Sequence, residues 1–299
     1  MLPQIALDWL EKLHQDGKSH HTIQAYRQGI NHFLSWYSDV YQDNFNPVQV
    51  MPRDIRDWQA SQQQIEKSAP ATINQRLVAV KRFFKWVQKQ QMIHQNPADD
   101  ISTIRINNRD IKSLEEASLR RLLREAKSEI RDYAILEVLV GTGIRVGELL
   151  KLKIDAIEIR PRSGKLTVRY GKGGGYREIP LTNDVRQAIQ DYLDKVHPSP
   201  DDHQQWLWIG RDSAISHRSS ITRMIDKYAI RAGLESVTPH MLRHTFATRY
   251  LKANPGDLRG LARLLGHSNL NTVMIYTEPT MDDLGKRMER METGVDPND

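Results

Sequence analysis

Between Thr72 and Lys89 the apolar residues Ile73, Leu77, Val80, Phe84 and Val87 recur every three to four positions. That period belongs to an α-helix with one buried face. Thr22 to Tyr37 repeats it through Tyr26, Ile30, Phe33 and Tyr37, and shorter helices are expected over 3–15 and 52–65. Helices of this kind are stable only when their apolar stripes cover one another, so residues 1–105 predict a small all-helical bundle. Asn96-Pro97 is expected to end its last helix, because the residue before a proline avoids the αR region. Residues 98–112 carry no clean period and read as a linker.

The pattern after the linker is different. Ser113 with Glu116 three residues on reads as a capping box for the next helix. A long apolar helix is expected over Arg131–Val140, then a Gly-Thr-Gly break, then a helix from about Val146. The alternating runs at 165–170 and 176–181 predict a hairpin. Their connector, G-K-G-G-G, is rich in glycine and is expected to be mobile. Further helices are expected at about 183–196, 216–232, 239–252, 257–264 and 270–277. Residues 281–291 are weakly amphipathic through Met281, Leu284 and Met288. The expected fold is therefore mainly α with a small β-sheet. An all-helical domain covers 1–105 and an α+β domain covers 106–299, with a tail from about 280.

Composition narrows the functions open to such a chain. Hydrophobic residues make up 39% and charged residues 27%, and no apolar run approaches the length of a membrane span. The first residues lack a basic segment and a long apolar core, so no signal peptide is expected. The absence of cysteine excludes disulfides, thiolate metal sites and cysteine nucleophiles. The net charge is +6, and its placement says more than its size. From Lys67 to Pro97 stand Lys67, Arg76, Lys81, Arg82, Lys85 and Lys89, with no acid among them. A solvated face ordinarily mixes signs. One sign within an amphipathic helix suits a phosphate-binding surface, with Arg76, Lys81, Arg82 and Lys85 as its candidates.

Several residues are candidates for chemistry, each with a plainer reading beside it. In T-P-H-M-L-R-H (238–244), Thr238 reads as an N-cap and Pro239 as the first helical residue. His240 and Arg243 then share one helix face, with His244 close by. Histidines four apart also match a zinc pair. Met241 replaces the glutamate such a site uses, however, and Arg243 would repel the cation, so no metal is expected. Arg145, three residues before Glu148, is either a local ion pair or an arginine held by that carboxylate and aimed at an anion. Lys172 on the hairpin tip is either a solvated lysine or one that swings onto a ligand. His267 in L-G-H (265–267) and Tyr276 read singly as a turn residue and a packing residue.

Taken together, Arg145, Lys172, His240, Arg243, His267 and Tyr276 resemble, in order and spacing, the signature of the tyrosine site-specific recombinases, the phage integrase family. T-P-H-M-L-R-H-T-F-A-T and L-L-G-H-S-N-L-N-T-V-M-I-Y-T resemble its Xer-like branch, as do G-T-G-I-R-V-G-E-L-L-K-L and G-K-G-G-G-Y-R-E-I-P-L. The first half resembles the family's core-binding domain through S-H-H-T-I-Q-A-Y-R and A-P-A-T-I-N-Q-R-L. One departure is visible. Family hairpins often carry a second lysine two residues before the arginine, and here that position is Gly175. Lys172 is left as the matching residue and Lys165 as a minor rival.

The resemblance implies a metal-free and cofactor-free DNA strand cleavage. Tyr276 attacks the scissile phosphate, giving a 3′-phosphotyrosyl bond and a free 5′-hydroxyl. Arg145 and Arg243 clamp the phosphate, His240 takes the tyrosine proton, Lys172 protonates the leaving oxygen, and His267 hydrogen-bonds the phosphate. It also implies a specific duplex recombination site, exchange through a Holliday junction, and a homotetramer on two sites docked through the tail. A second recombinase or accessory proteins are further partners in some relatives. The expected setting is the bacterial cytoplasm, at the nucleoid. At 299 residues no extra arm-binding domain is expected, which points to a Xer-like or transposon-resolvase role. Resolution, integration and chromosome dimer resolution all stay open. A type IB topoisomerase and a non-catalytic DNA-binding regulator are the alternatives.

Overall fold

The computed structural model describes residues 2–105, 113–169, 175–197, 205–210 and 213–266, together with Gly285 and Met288. The chain divides into two compact units, Met1–Asn108 and Arg109–Asp299.

The first unit consists of α1 (Gln4–Gln15), α2 (His20–Tyr41), α3 (Pro52–Gln64) and α4 (Pro70–Lys89). Ser19 caps α2 by accepting from the Thr22 amide, so the helix starts two residues before the periodic stretch. Prolines open α3 and α4, where the missing amide proton costs nothing. The core is aromatic. Phe33, Trp58, Phe83 and Phe84 are fully buried, and Phe33 meets Trp58 edge-on at 5.3 Å between centroids. Gly29 lets α2 and α4 approach closely, since a Cβ there would lie 2.7 Å from that of Ala79.

Two expectations fail at the end of this unit. Helix α4 stops at Lys89, well before Asn96. Gln91 takes a left-handed φ of 59°, and the amides of Met92 and Gln91 close back onto Val87 and Gln88. This is a Schellman ending built on glutamine instead of glycine. Asn96 holds a turn of its own, donating to Asp99 and accepting from the Ala98 amide. The expected linker also begins too early. Ala98 and Ile101 are buried, and the Asn74 side chain exchanges two 2.8 Å hydrogen bonds with the backbone of Ile104. Residues 98–105 therefore belong to the bundle, and 106–112 lie outside the described residues.

The second unit contains α5 (Glu116–Ala126), α6 (Ile130–Thr142), the single turn α7 (Val146–Leu149) and a 3₁₀ turn at Ile154–Ala156. Then come β1 (Ile157–Ile159), β2 (Gly164–Arg169), β3 (Tyr176–Pro180), α8 (Asn183–Lys195), α9 (Arg218–Arg231), α10 (Pro239–Ala253) and α11 (Leu258–Leu265). The strands form one antiparallel sheet in the order β1-β2-β3, with Val168 opposite Arg177 and Leu166 opposite Ile179. Helix α6 is apolar on nearly every side and packs against α8 and α10 as the central helix of the core. The Ser113 capping box does not form. The N-cap is Glu115, and the adjacent Leu114 amide donates to the Thr245 hydroxyl of α10 instead. Among the described residues no helix is long and apolar enough to cross a membrane. The fold is mainly α with one small sheet, as the sequence predicts.

Candidate active site

The site is organised by main-chain oxygens. Helix α6 ends at Gly143, whose φ of 62° turns its carbonyl away from the helix. A side chain at Gly143 would collide with the Phe246 ring of α10, so glycine serves both the turn and the close packing. Helix α11 ends the same way at Gly266, with φ 67°. These two helix C-termini present their negative ends to the same place.

Arg243 on α10 fills that place. It is buried, and its guanidinium donates to the Gly143 carbonyl at 2.6 Å and the Leu265 carbonyl at 2.9 Å. Two helix ends are what make a buried cation tolerable here. Thr238 sets the register of α10 by accepting from the Met241 amide, with Pro239 next, as the sequence predicts. Arg145, at the start of α7, reaches the same Leu265 carbonyl at 3.4 Å. One oxygen therefore anchors two guanidinium groups that are far apart in sequence.

Glu148 steadies Arg145 in two ways. Its carboxylate accepts from the Arg145 amide at 2.8 Å and from the guanidinium at 3.2 Å. It also accepts a two-pronged contact from Arg177 on β3, at 3.0 and 2.8 Å. Burial acts to raise the Glu148 carboxyl. The Arg177 hydrogen bond, the Arg145 amide and both positive charges outweigh it and hold Glu148 below the usual carboxylate range. Arg177 further donates from Nε to the Leu264 carbonyl at 2.8 Å. The last two carbonyls of α11 thus hold three arginines: 145, 177 and 243.

His240 lies one turn before Arg243 and is exposed. Partial burial, then the charges of Arg243 and Arg145, lower its pKa, which keeps the imidazole neutral near pH 7. A neutral imidazole beside two cations can accept a proton. His244 is buried with its ring edge-on to His240 at 4.1 Å, and burial, then the neighbouring His240 and Arg243, push it down to about 4. It packs the helix. Among the described residues no cluster of three or more potential metal ligands occurs.

Beside Arg145 runs an open cleft of about 840 Å³ lined by Lys151, Lys153, Arg169, Arg218 and Trp206, with Glu148 as its one acid among the described residues. Lys165, the rival to Lys172, is paired with Glu178 at 2.7 Å and with Glu158. Lys172, His267 and Tyr276 lie outside the described residues. Described strands end at Arg169 and Tyr176 on either side of Lys172, and Gly266 immediately precedes His267.

In the first unit, Arg82 and Lys85 are exposed on α4. Arg76 is drawn inward, with Nη1 2.9 Å from Gln62 and 3.2 Å from Glu66. Lys81 donates to the Asp99 carbonyl. The acid-free stretch begins one residue after Glu66, and the fold returns that acid to Arg76.

Comparison with known proteins agrees with this geometry. The phage integrase family matches residues 112–282, and its N-terminal SAM-like domain matches residues 5–94. The chain is 32% identical over 292 residues to tyrosine recombinase XerD of Yersinia pestis, covering 92% of this chain and 91% of the relative. It is 34% identical over 274 residues to tyrosine recombinase XerC of Haemophilus influenzae, covering 90% of each. The crystal structure of the XerH site-specific recombinase bound to its palindromic difH substrate shares the fold, with a TM-score of 0.73 at 21% identity over 91% of this chain and 79% of that one. The chain belongs to the phage integrase family, as a Xer-like tyrosine site-specific recombinase that cleaves and rejoins DNA.

Proposed function

We propose that Arg145, Arg243 and His240 form the phosphate-facing part of an active site completed by Lys172, His267 and Tyr276. The observation that carries this reading is the shared Leu265 carbonyl, which fixes Arg145 and Arg243 side by side with His240 one turn away. Two guanidinium forks stay ionised and match the non-bridging oxygens of a phosphodiester, where charge accumulates in the transition state. The Tyr276 hydroxyl attacks phosphorus and passes its proton to His240. The P–O5′ bond breaks, and the departing oxygen takes a proton from Lys172. The ester energy stays in the 3′-phosphotyrosyl bond, so a second 5′-hydroxyl reverses the step without a nucleotide cofactor.

Duplex DNA is the substrate, held through phosphates by the exposed Arg82 and Lys85 of α4 and by the basic cleft beside Arg145. Arg76 and Lys81 support that surface from within the bundle. Binding should weaken steeply with salt, by about 0.9 in the log–log slope per phosphate contact. Removing both Arg82 and Lys85 should flatten the slope by about two. An unchanged slope in the double alanine variant, measured by fluorescence anisotropy, would move the surface elsewhere.

Exchange requires a tetramer on two sites, and the tail supplies the docking segment. Met288, helical and 68% exposed, is an apolar side chain available to a neighbouring protomer. The setting is the bacterial cytoplasm, where chromosomal DNA is accessible. The test uses DNA carrying two copies of a site selected from a random library by binding. Full-length protein should yield four-way junctions. Deletion after Thr280 should preserve duplex binding and lose them. Relaxation of supercoiled DNA with no junctions from the full-length chain would favour a topoisomerase-like activity, and undiminished junction formation by the truncation would exclude tail docking.

A further inference from the structure

We propose that Arg177 is a positioning residue for strand cleavage: it locks the strand that leaves the Lys172 hairpin to the carboxylate holding Arg145. The inference rests on Arg145 acting at the scissile phosphate.

Arg177 stands on β3, where Tyr176, Glu178 and Pro180 are exposed and Arg177 and Ile179 face inward. An arginine on the inward face of a strand, with a side chain only 4% exposed, needs compensation for its lost hydration. Among the described residues it receives this from the Glu148 carboxylate and the Leu264 carbonyl. Two nitrogens meet the two oxygens of Glu148, and Nε meets the Leu264 carbonyl. The planar fork satisfies both at once, which an ammonium group does not.

Each partner leads to the phosphate clamp. Glu148 uses its remaining capacity on the Arg145 amide and guanidinium. Leu264 precedes Leu265, whose carbonyl anchors both Arg145 and Arg243. Arg177 therefore ties together three segments: β3, the first turn of α7 and the last turn of α11. It stands five residues after Lys172, on the strand that the hairpin feeds. Without Arg177, Glu148 would be a half-buried carboxylate with Arg145 as its remaining arginine partner among the described residues, and it would draw that guanidinium toward itself and away from substrate. The role is to divide the Glu148 charge between two arginines so that Arg145 stays aimed outward.

Loss of Arg177 should cost rate instead of affinity. The probe is a nicked duplex carrying a library-selected site, on which covalent protein–DNA complex accumulates. At saturating duplex, Arg177→Met should slow complex formation by roughly 10–100-fold, the scale of a misplaced catalytic group, while duplex affinity stays within about threefold. Arg177→Lys keeps the charge and loses the fork, and it should fall in between. It also serves if the methionine variant does not fold. The decisive readout is coupling. In an Arg145→Lys background, the Arg177 substitution should add little further loss, because both act through one guanidinium. A general weakening of the fold would instead multiply the two losses, and that multiplicative result overturns the proposal. So does full-rate cleavage by both Arg177 variants. If Arg145→Lys itself cleaves at the wild-type rate, the underlying assignment of Arg145 fails.

Discussion

Arg243→Ala will reduce strand cleavage by about 10²–10⁴-fold, the range for a preorganised electrostatic or proton-transfer group, and will leave duplex affinity within a few fold. The asymmetry follows from where the side chain sits. Arg243 is buried between the ends of α6 and α11, where its guanidinium is held by two carbonyls. Duplex binding sums many phosphate contacts, so losing one changes it little. The transition state concentrates charge at one phosphate, so losing one fork there changes the rate greatly.

The substitution also has a structural cost that the experiment must separate. Removing the guanidinium strands the Gly143 and Leu265 carbonyls, each at about 1–3 kcal/mol if left buried without a donor. Of these two, the Leu265 carbonyl would keep its 3.4 Å contact to Arg145. The alanine variant should therefore melt at a lower temperature. Arg243→Lys retains a charge that can reach one carbonyl, so it should regain part of the stability. It should not regain the cleavage rate, because a single ammonium cannot replace a planar fork. A lysine variant that cleaves at the wild-type rate would show that charge alone suffices.

How much of this is visible in the residues varies from element to element. Helices α2 and α4 announce themselves because a 3.6-residue period sustained over four turns has one structural solution. The start of α10 is equally plain, since Thr238-Pro239 supplies both a cap and a preset φ. Strand β1 escapes because three residues after a 3₁₀ turn carry no period at all. The end of α4 escapes because its left-handed residue is Gln91, which has no glycine to mark it. Ser113 and Glu116 have the spacing of a capping box, yet tertiary contact through Leu114 and Thr245 decides where α5 begins.

The site divides in the same way. Arg145, His240 and Arg243 are legible as side chains in a spaced pattern. What brings them together is not, because the Gly143, Leu264 and Leu265 carbonyls are main-chain atoms that any residue carries. Arg177 is the intermediate case. It alternates in step with Ile179 on the inward face of β3, and that alternation is written in the residues themselves. A charged residue in register with buried aliphatic neighbours asks for a partner, and Glu148 is that partner.

Tyr276 carries the central claim, and covalent trapping tests it most directly. A duplex nicked near the scissile phosphate lets the short leaving strand diffuse away, so the cleaved intermediate cannot be resealed and accumulates. With the wild-type chain on a library-selected site, a protein–DNA adduct should survive denaturation, and peptide mapping should place the DNA on Tyr276. Tyr276→Phe lacks the attacking oxygen, so it should bind the same duplex with unchanged affinity and form no adduct. An adduct that persists in Tyr276→Phe, or a wild-type chain that binds its site and never becomes covalently attached, would contradict the account.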